Sequence, residues 1–256
     1  MTAGQLPTSE PLLPLCRGVP WVDSAWLAKV TGVWMFERYG VPGLQFLHAL
    51  LLTTAFAVLA WDLRRRGVNT VWTLAGLVTF AAIDYQQLLI QRPQDFGLAA
   101  FAITLVWSLG RSRPRWSWWA LPLLYAVWAN LHGSFTIGLL TFGASAAGSA
   151  IDVFRRSRSI RLAISSRLAW RSLLMLQLCA AAALLNPAGI GIYADVIAIG
   201  QHPNLQVLLD WVPLTLRMGQ GQVFALAALG LACVYRLSPR RIRTAELLLL
   251  IGFAGP

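Results

Sequence analysis

Eight runs of apolar residues divide this chain, and its basic residues fall mostly in alternate gaps between them. The runs are 44–61, 70–90, 96–110, 116–130, 134–153, 172–186, 222–236 and a last one opening at 245. An α-helix crosses a bilayer with roughly 20 apolar residues. The shorter runs therefore need flanking Arg and Trp side chains that reach back to the interface. None shows the alternating pattern of about ten residues that marks a strand of a membrane barrel. The expected fold is all-α: a polytopic transmembrane helical bundle of about eight spans, with interfacial helices on the outer side.

The basic residues orient this bundle. With Arg64, Arg65 and Arg66 placed inside, the loops 111–115, 154–171 and 236–243 fall inside as well, each two spans further on. These four segments hold 16 of the 21 Lys and Arg residues. Arg17, Lys29, Arg38, Arg92 and Arg217 are left outside. Basic loops stay on the cytoplasmic side of a membrane, so the basic gaps read as cytoplasmic. Trp107, Trp116, Trp118 and Trp119 flank the 111–115 loop as an aromatic belt would. The net charge of +11 is thus a topology signal and not a nucleic-acid surface. Only 12% of residues are charged, against about a quarter in a soluble domain. Cys16, Cys179 and Cys233 are too few and too scattered for a disulfide framework or a zinc site. Cys179 and Cys233 lie in apolar runs and are expected to be buried.

Residues 1–43 are read as an extracytoplasmic loop carrying an interfacial helix, and 44–256 as the multi-span domain with an outer loop at 187–221. Met1–Pro20 lacks the basic and apolar regions of a signal peptide, and the run from Ala245 stops short. The expectation is a piece of a longer protein, truncated at both ends. Over 21–40, Trp26, Val30, Val33 and Trp34 recur at helical spacing, while Lys29, Glu37 and Arg38 face water. Asp23 or Ser24 is placed to cap this helix. A second interfacial helix is expected over 190–199.

Polar clusters gather on the outer side. Asn130-Leu131-His132-Gly133 breaks two apolar runs at the membrane surface, where polar groups are costly. Gln91-Arg92-Pro93-Gln94-Asp95, Asn186-Pro187 and Asp210-Trp211 fall on the same side. Arg92 offers a guanidinium that can hold a phosphate bidentately, or an interface anchor. His132 can bind phosphate or a sugar, or act as acid or base, and Gly133 allows close backbone approach. Alternatively, Asn130 and His132 form a satisfied turn. Asp84 lies within the 70–90 run and either lines a cavity or pairs with Arg92. His202 and Asp210 lie in the long outer loop, where an acceptor can dock. Asn186-Pro187 reads as a helix end.

Three segments carry a family resemblance. They are Gly18-Val19-Pro20-Trp21-Val22-Asp23-Ser24-Ala25-Trp26-Leu27 with Tyr39-Gly40; Arg92-Pro93-Gln94 followed by Leu121-Pro122 and Trp128-Ala129-Asn130-Leu131-His132-Gly133-Ser134; and Leu184-Leu185-Asn186-Pro187-Ala188-Gly189 with Asp210-Trp211. In order and spacing the chain resembles, from about residue 18 to 256, bacterial membrane proteins related to the GT-C glycosyltransferases. These include the protein mannosyltransferases and the lipid A aminoarabinose transferases. The resemblance implies transfer of a sugar from a polyprenyl-phosphate donor to an extracytoplasmic acceptor, in the bacterial inner (plasma) membrane. In those relatives an acidic residue beside Trp-Trp-His follows the first span. This chain has no such segment: either that residue is missing from it, or Asp23 is a later acidic residue of the same loop.

The resulting assignment makes Asp23 and His132 catalytic and Asp84, Arg92, Asn130, His202 and Asp210 substrate-binding. No metal site is read, the donor is a lipid-linked sugar, and no cofactor is identified. A transporter or flippase is the alternative, although it calls for paired broken helices and midplane charges. A non-catalytic membrane scaffold is another.

Overall fold

The computed structural model describes residues 25–110, 114–201, 214–238 and 242–254. Among the described residues the structure is built from eleven α-helices, with no strand. They are α1 (Trp26–Arg65), α2 (Thr70–Ile83), α3 (Tyr85–Leu88), α4 (Gln94–Leu109), α5 (Ser117–Leu131), α6 (Phe135–Ser157), α7 (Ile160–Ile164), α8 (Arg167–Ala183), α9 (Gly191–Gly200), α10 (Gly219–Leu237) and α11 (Thr244–Ala254).

Three of these, α1, α6 and α10, are long and apolar enough to cross a membrane, fewer than the eight spans expected. The shortfall has local causes. The 70–90 run breaks at Asp84, which leaves α2 with 14 residues. α4 and α5 have 16 and 15 residues, or roughly 23 Å of helix at 1.5 Å per residue. The helix expected over 21–40 and the span expected over 44–61 meet in α1, which bends at Gly40. That glycine takes a positive φ of 64°, open to it for want of a Cβ. Pro42, two residues on, has no N–H to continue the helical ladder.

Side chains at the ends stop and start several elements. Asn69 accepts a hydrogen bond from the Trp72 N–H and caps α2, as short polar side chains do for unpaired first-turn N–H groups. Arg155 and Arg156 lie in the last turn of α6, where cations oppose the negative end of the helix dipole. The Asp152 carboxylate accepts from the Thr244 N–H and hydroxyl, and ties the start of α11 to the end of α6.

The centre is formed by α4, α5, α6 and α8, with α1 along α4, α2 on α1, and α11 on α6. Small residues let α6 sit this close. A Cβ on Gly138 would lie 2.6 Å from the Trp128 ring, and one on Gly148 would lie 2.2 Å from the Ala245 backbone nitrogen. Hydroxyls link the same helices: Ser108 and Thr141 lie 3.1 Å apart, and Ser145 lies 3.1 Å from Ser172 and donates to the Ser108 carbonyl at 3.0 Å. In a membrane each such interhelical bond contributes roughly 0.6 kcal/mol. Tyr125, Trp128, Phe135, Phe142, Met175 and Cys179 are fully buried around them.

Two expectations about single side chains are corrected. Trp107 does not sit in the aromatic belt; it is buried, edge-on to Phe142 at 5.4 Å. Trp116 and Trp119 do face outward. Cys179 is buried but Cys233 is exposed, because the C-terminal half of α10 is little covered by other helices.

Candidate functional site

Three polar clusters lie at one end of the bundle, where α1, α4 and α6 begin and α5 and α8 end. The first is a closed amide network. The Trp26 indole donates to Asn130 Oδ1 at 2.7 Å, and Asn186 Nδ2 donates to the same oxygen at 3.2 Å. Asn130 Nδ2 donates to the carbonyls of Ala126 at 2.7 Å and Leu185 at 3.3 Å. A carboxamide offers two N–H groups and one oxygen with two lone pairs, so Asn130 is saturated by the protein. Asn186 also donates to the Ala129 carbonyl and accepts from the Ala188 N–H. Both asparagines are buried. The network ties α1, α5 and the end of α8 together and leaves Asn130 no group for a substrate.

The second cluster surrounds His132, the residue that ends α5 in extended backbone. The Ser134 N–H donates to His132 Nδ1 at 3.1 Å, and the Ser134 hydroxyl lies 2.8 Å from the same nitrogen. An N–H can only donate, so Nδ1 is an acceptor and the neutral ring carries its proton on Nε2. Among the described residues Nε2 has no hydrogen-bond partner. The Trp128 indole donates to the Ser134 hydroxyl at 3.2 Å. Gly133 is covered by Val196 of α9, and Gly97 in the first turn of α4 is in close contact with Ser134.

Burial pushes the His132 imidazole below its usual range, because desolvation disfavours the charged form. The unfolded chain then takes up a proton before the folded one does. Stability is complete above the unfolded value of about 6.5. It falls as the pH drops below that point, and levels off beneath the folded value. Thermal melting from pH 8 to pH 5 is expected to show this loss, and His132→Asn, which keeps an acceptor for the Ser134 N–H, is expected to reduce it. An unchanged pH profile in the variant rejects this source.

The third cluster joins the expected polar segment 91–95 to His48, which the sequence alone did not single out. His48 of α1 places Nδ1 2.8 Å from the Asp95 carboxylate and Nε2 3.0 Å from the Leu88 carbonyl. Both partners are acceptors, so the site suits a ring that donates from both nitrogens. Asp95, buried in the first turn of α4, also accepts from the Arg92 N–H at 3.2 Å. The Arg92 guanidinium donates to Gln87 Oε1 at 3.3 Å. A lone imidazole inside the apolar run 44–61 was the available sequence signal.

Asp84 ends α2 and is half-buried at the break before α3. Among the described residues its carboxylate accepts no hydrogen bond. Asp23, His202 and Asp210 lie outside the described residues. A cavity of about 620 Å³ lies at the opposite, basic end. Protein-family models, the curated proteins and the solved structures provide no match to this chain.

Proposed function

We propose that this chain belongs to a membrane transferase of the GT-C type, which moves a sugar from a polyprenyl-phosphate donor to an acceptor at the polar end of the bundle. The observation that carries the reading is His132, whose Nε2–H is an uncommitted donor among the described residues, with the ring held by Ser134. The adjoining α4 turn brings the Arg92 guanidinium to the same end of the bundle. Such groups stabilise a leaving phosphate where water is scarce. The acceptor hydroxyl attacks the anomeric carbon as the carbon–oxygen bond to phosphate breaks. Its proton passes to a carboxylate, for which Asp23 is the candidate, with Asp84 lining the donor path. In this reading the chain forms about eight spans, with the arginine-rich loops cytoplasmic and the polar end extracytoplasmic. His202 and Asp210 receive the acceptor. Asn130 supports the site without touching substrate.

The test is sugar transfer from a polyprenyl-phosphate donor in membranes that carry the full-length protein. His132→Ala and Arg92→Ala are each expected to lower the rate by roughly a hundredfold, the scale for losing one transition-state donor. Wild-type rates in both variants reject the assignment. The saturated Asn130–Asn186 network also fits a scaffold that keeps the fold without catalysis. Loss of an envelope complex in a deletion strain, with all sugar transfer intact, favours that reading.

A further inference from the structure

At the basic end a cleft of about 620 Å³ opens between α1, α2, α4 and α10, within the range of about 300–1,000 Å³ typical of ligand sites. Its walls are apolar, with Leu77 and Phe80 from α2, Leu105 and Val106 from α4, and Leu231 from α10. Its charged groups sit at the ends of helices, at Asp62 and Arg66 of the α1 terminus and Glu246 of α11. A largely apolar volume that also presents Asp62, Arg66 and Glu246 suits an amphiphile.

The rim also specifies the headgroup. Asp62 accepts from Arg65 at 3.0 Å and from Arg66 Nε at 2.6 Å, so these three residues carry one net positive charge. Arg64 stands beside them and donates to the Val68 carbonyl. Glu246 is offset by Arg243, whose Nε lies 3.5 Å away. Arg66 spends only its Nε–H on Asp62, and its side chain is 24% exposed. Among the described residues the N–H groups on its two Nη atoms meet no acceptor. A planar guanidinium with donors to spare is suited to bidentate binding of phosphate.

We propose that this cleft binds an anionic glycerophospholipid, with one acyl chain between α2, α4 and α10 and its phosphate on Arg66. The site is separate from the polar end, and it stands or falls independently of the transferase reading. The positive rim favours a lipid with net negative charge over a zwitterionic one of the same chain length.

Gly76 allows a clean test. It lines the cleft, and a Cβ built on it meets nothing within 4 Å. Leucine is also a better helix former than glycine. Gly76→Leu therefore adds apolar bulk at the cleft wall from a Cβ that meets no neighbour. The full chain is purified in mild detergent and titrated with phosphatidylglycerol, phosphatidylcholine or a polyprenyl phosphate, with bound lipid read by native mass spectrometry. The wild type is expected to retain one phosphatidylglycerol at about a tenfold lower lipid concentration than phosphatidylcholine, a tenfold change in affinity being one decade in Kd. Gly76→Leu is expected to lose it with unchanged helix content and melting point. Arg66→Gln is expected to bind the two phospholipids equally. A wild type that retains no lipid, or a Gly76→Leu variant that retains it fully, overturns the proposal. Displacement of phosphatidylglycerol by an equal concentration of polyprenyl phosphate overturns the assignment to a glycerophospholipid.

Discussion

His48→Ala is expected to destabilise the protein by roughly 3 kcal/mol, because two acceptors, the Asp95 carboxylate and the Leu88 carbonyl, lose the ring that bonds them at about 1–3 kcal/mol for each group left unsatisfied. The variant leaves the Asp95 carboxylate buried, with the Arg92 N–H still donating to it. It also strands the Leu88 carbonyl, which loses its bond from Nε2. The effect concentrates where α1 rests on α4, so the first consequence is release of α1 from the start of α4. Denaturant unfolding of the full chain in micelles measures the loss. The double variant His48→Leu with Asp95→Leu is expected to recover most of it, because apolar replacement of both partners removes the uncompensated charge. A His48→Ala variant as stable as the wild type rejects the pairing. A double variant no better than the single one shows that the cost is packing and not charge.

The second large effect is expected at Asn130. Asn130→Leu keeps the approximate size of the side chain and removes four hydrogen bonds at once. The Trp26 indole N–H and the Leu185 carbonyl lose their part-buried bonds to Asn130, at about 1–3 kcal/mol for each group left unsatisfied. Asn186 keeps its bond to the Ala129 carbonyl, and the Ala126 carbonyl stays inside α5. The total is expected to be about 3 kcal/mol. Asn130→Asp separates shape from hydrogen bonding, since it keeps the oxygen that receives Trp26 and Asn186 but loses both N–H donors. It is expected to be at least as damaging, because it adds a buried charge next to two carbonyl acceptors. Tryptophan emission from Trp26, read with the unfolding midpoint, follows the loss of the α1 contact. Wild-type stability in both variants removes Asn130 from the architecture of this end and returns it to the list of substrate ligands.

These two clusters join residues that lie far apart along the chain. Asn130 and His132 stood out because polar residues interrupt apolar runs, and both lie at one end of the bundle. Their difference in availability did not show in sequence. Asn130 is saturated from Trp26 and Asn186, 104 and 56 residues away. Among the described residues the His132 ring is engaged by Ser134, two residues on, and Nε2 has no hydrogen-bond partner. His48 attracted no notice because its partner Asp95 is 47 residues away, beyond an intervening helix pair. Trp107 looked like a belt residue from its place beside a basic loop, and rotation of α4 turned it into the core instead.

Helicity, the segregation of arginines into alternate gaps and the collection of polar residues in the others were determined by the sequence alone. Backbone hydrogen bonding in a helix is local, and hydropathy and charge are properties of short segments. Tertiary structure decided where the helices stop, which faces meet and which polar groups neutralise one another. Those outcomes depend on the rotation and register of helices far apart in the chain. A shift of one residue turns a side chain by about 100°, enough to exchange a buried partner for an open donor.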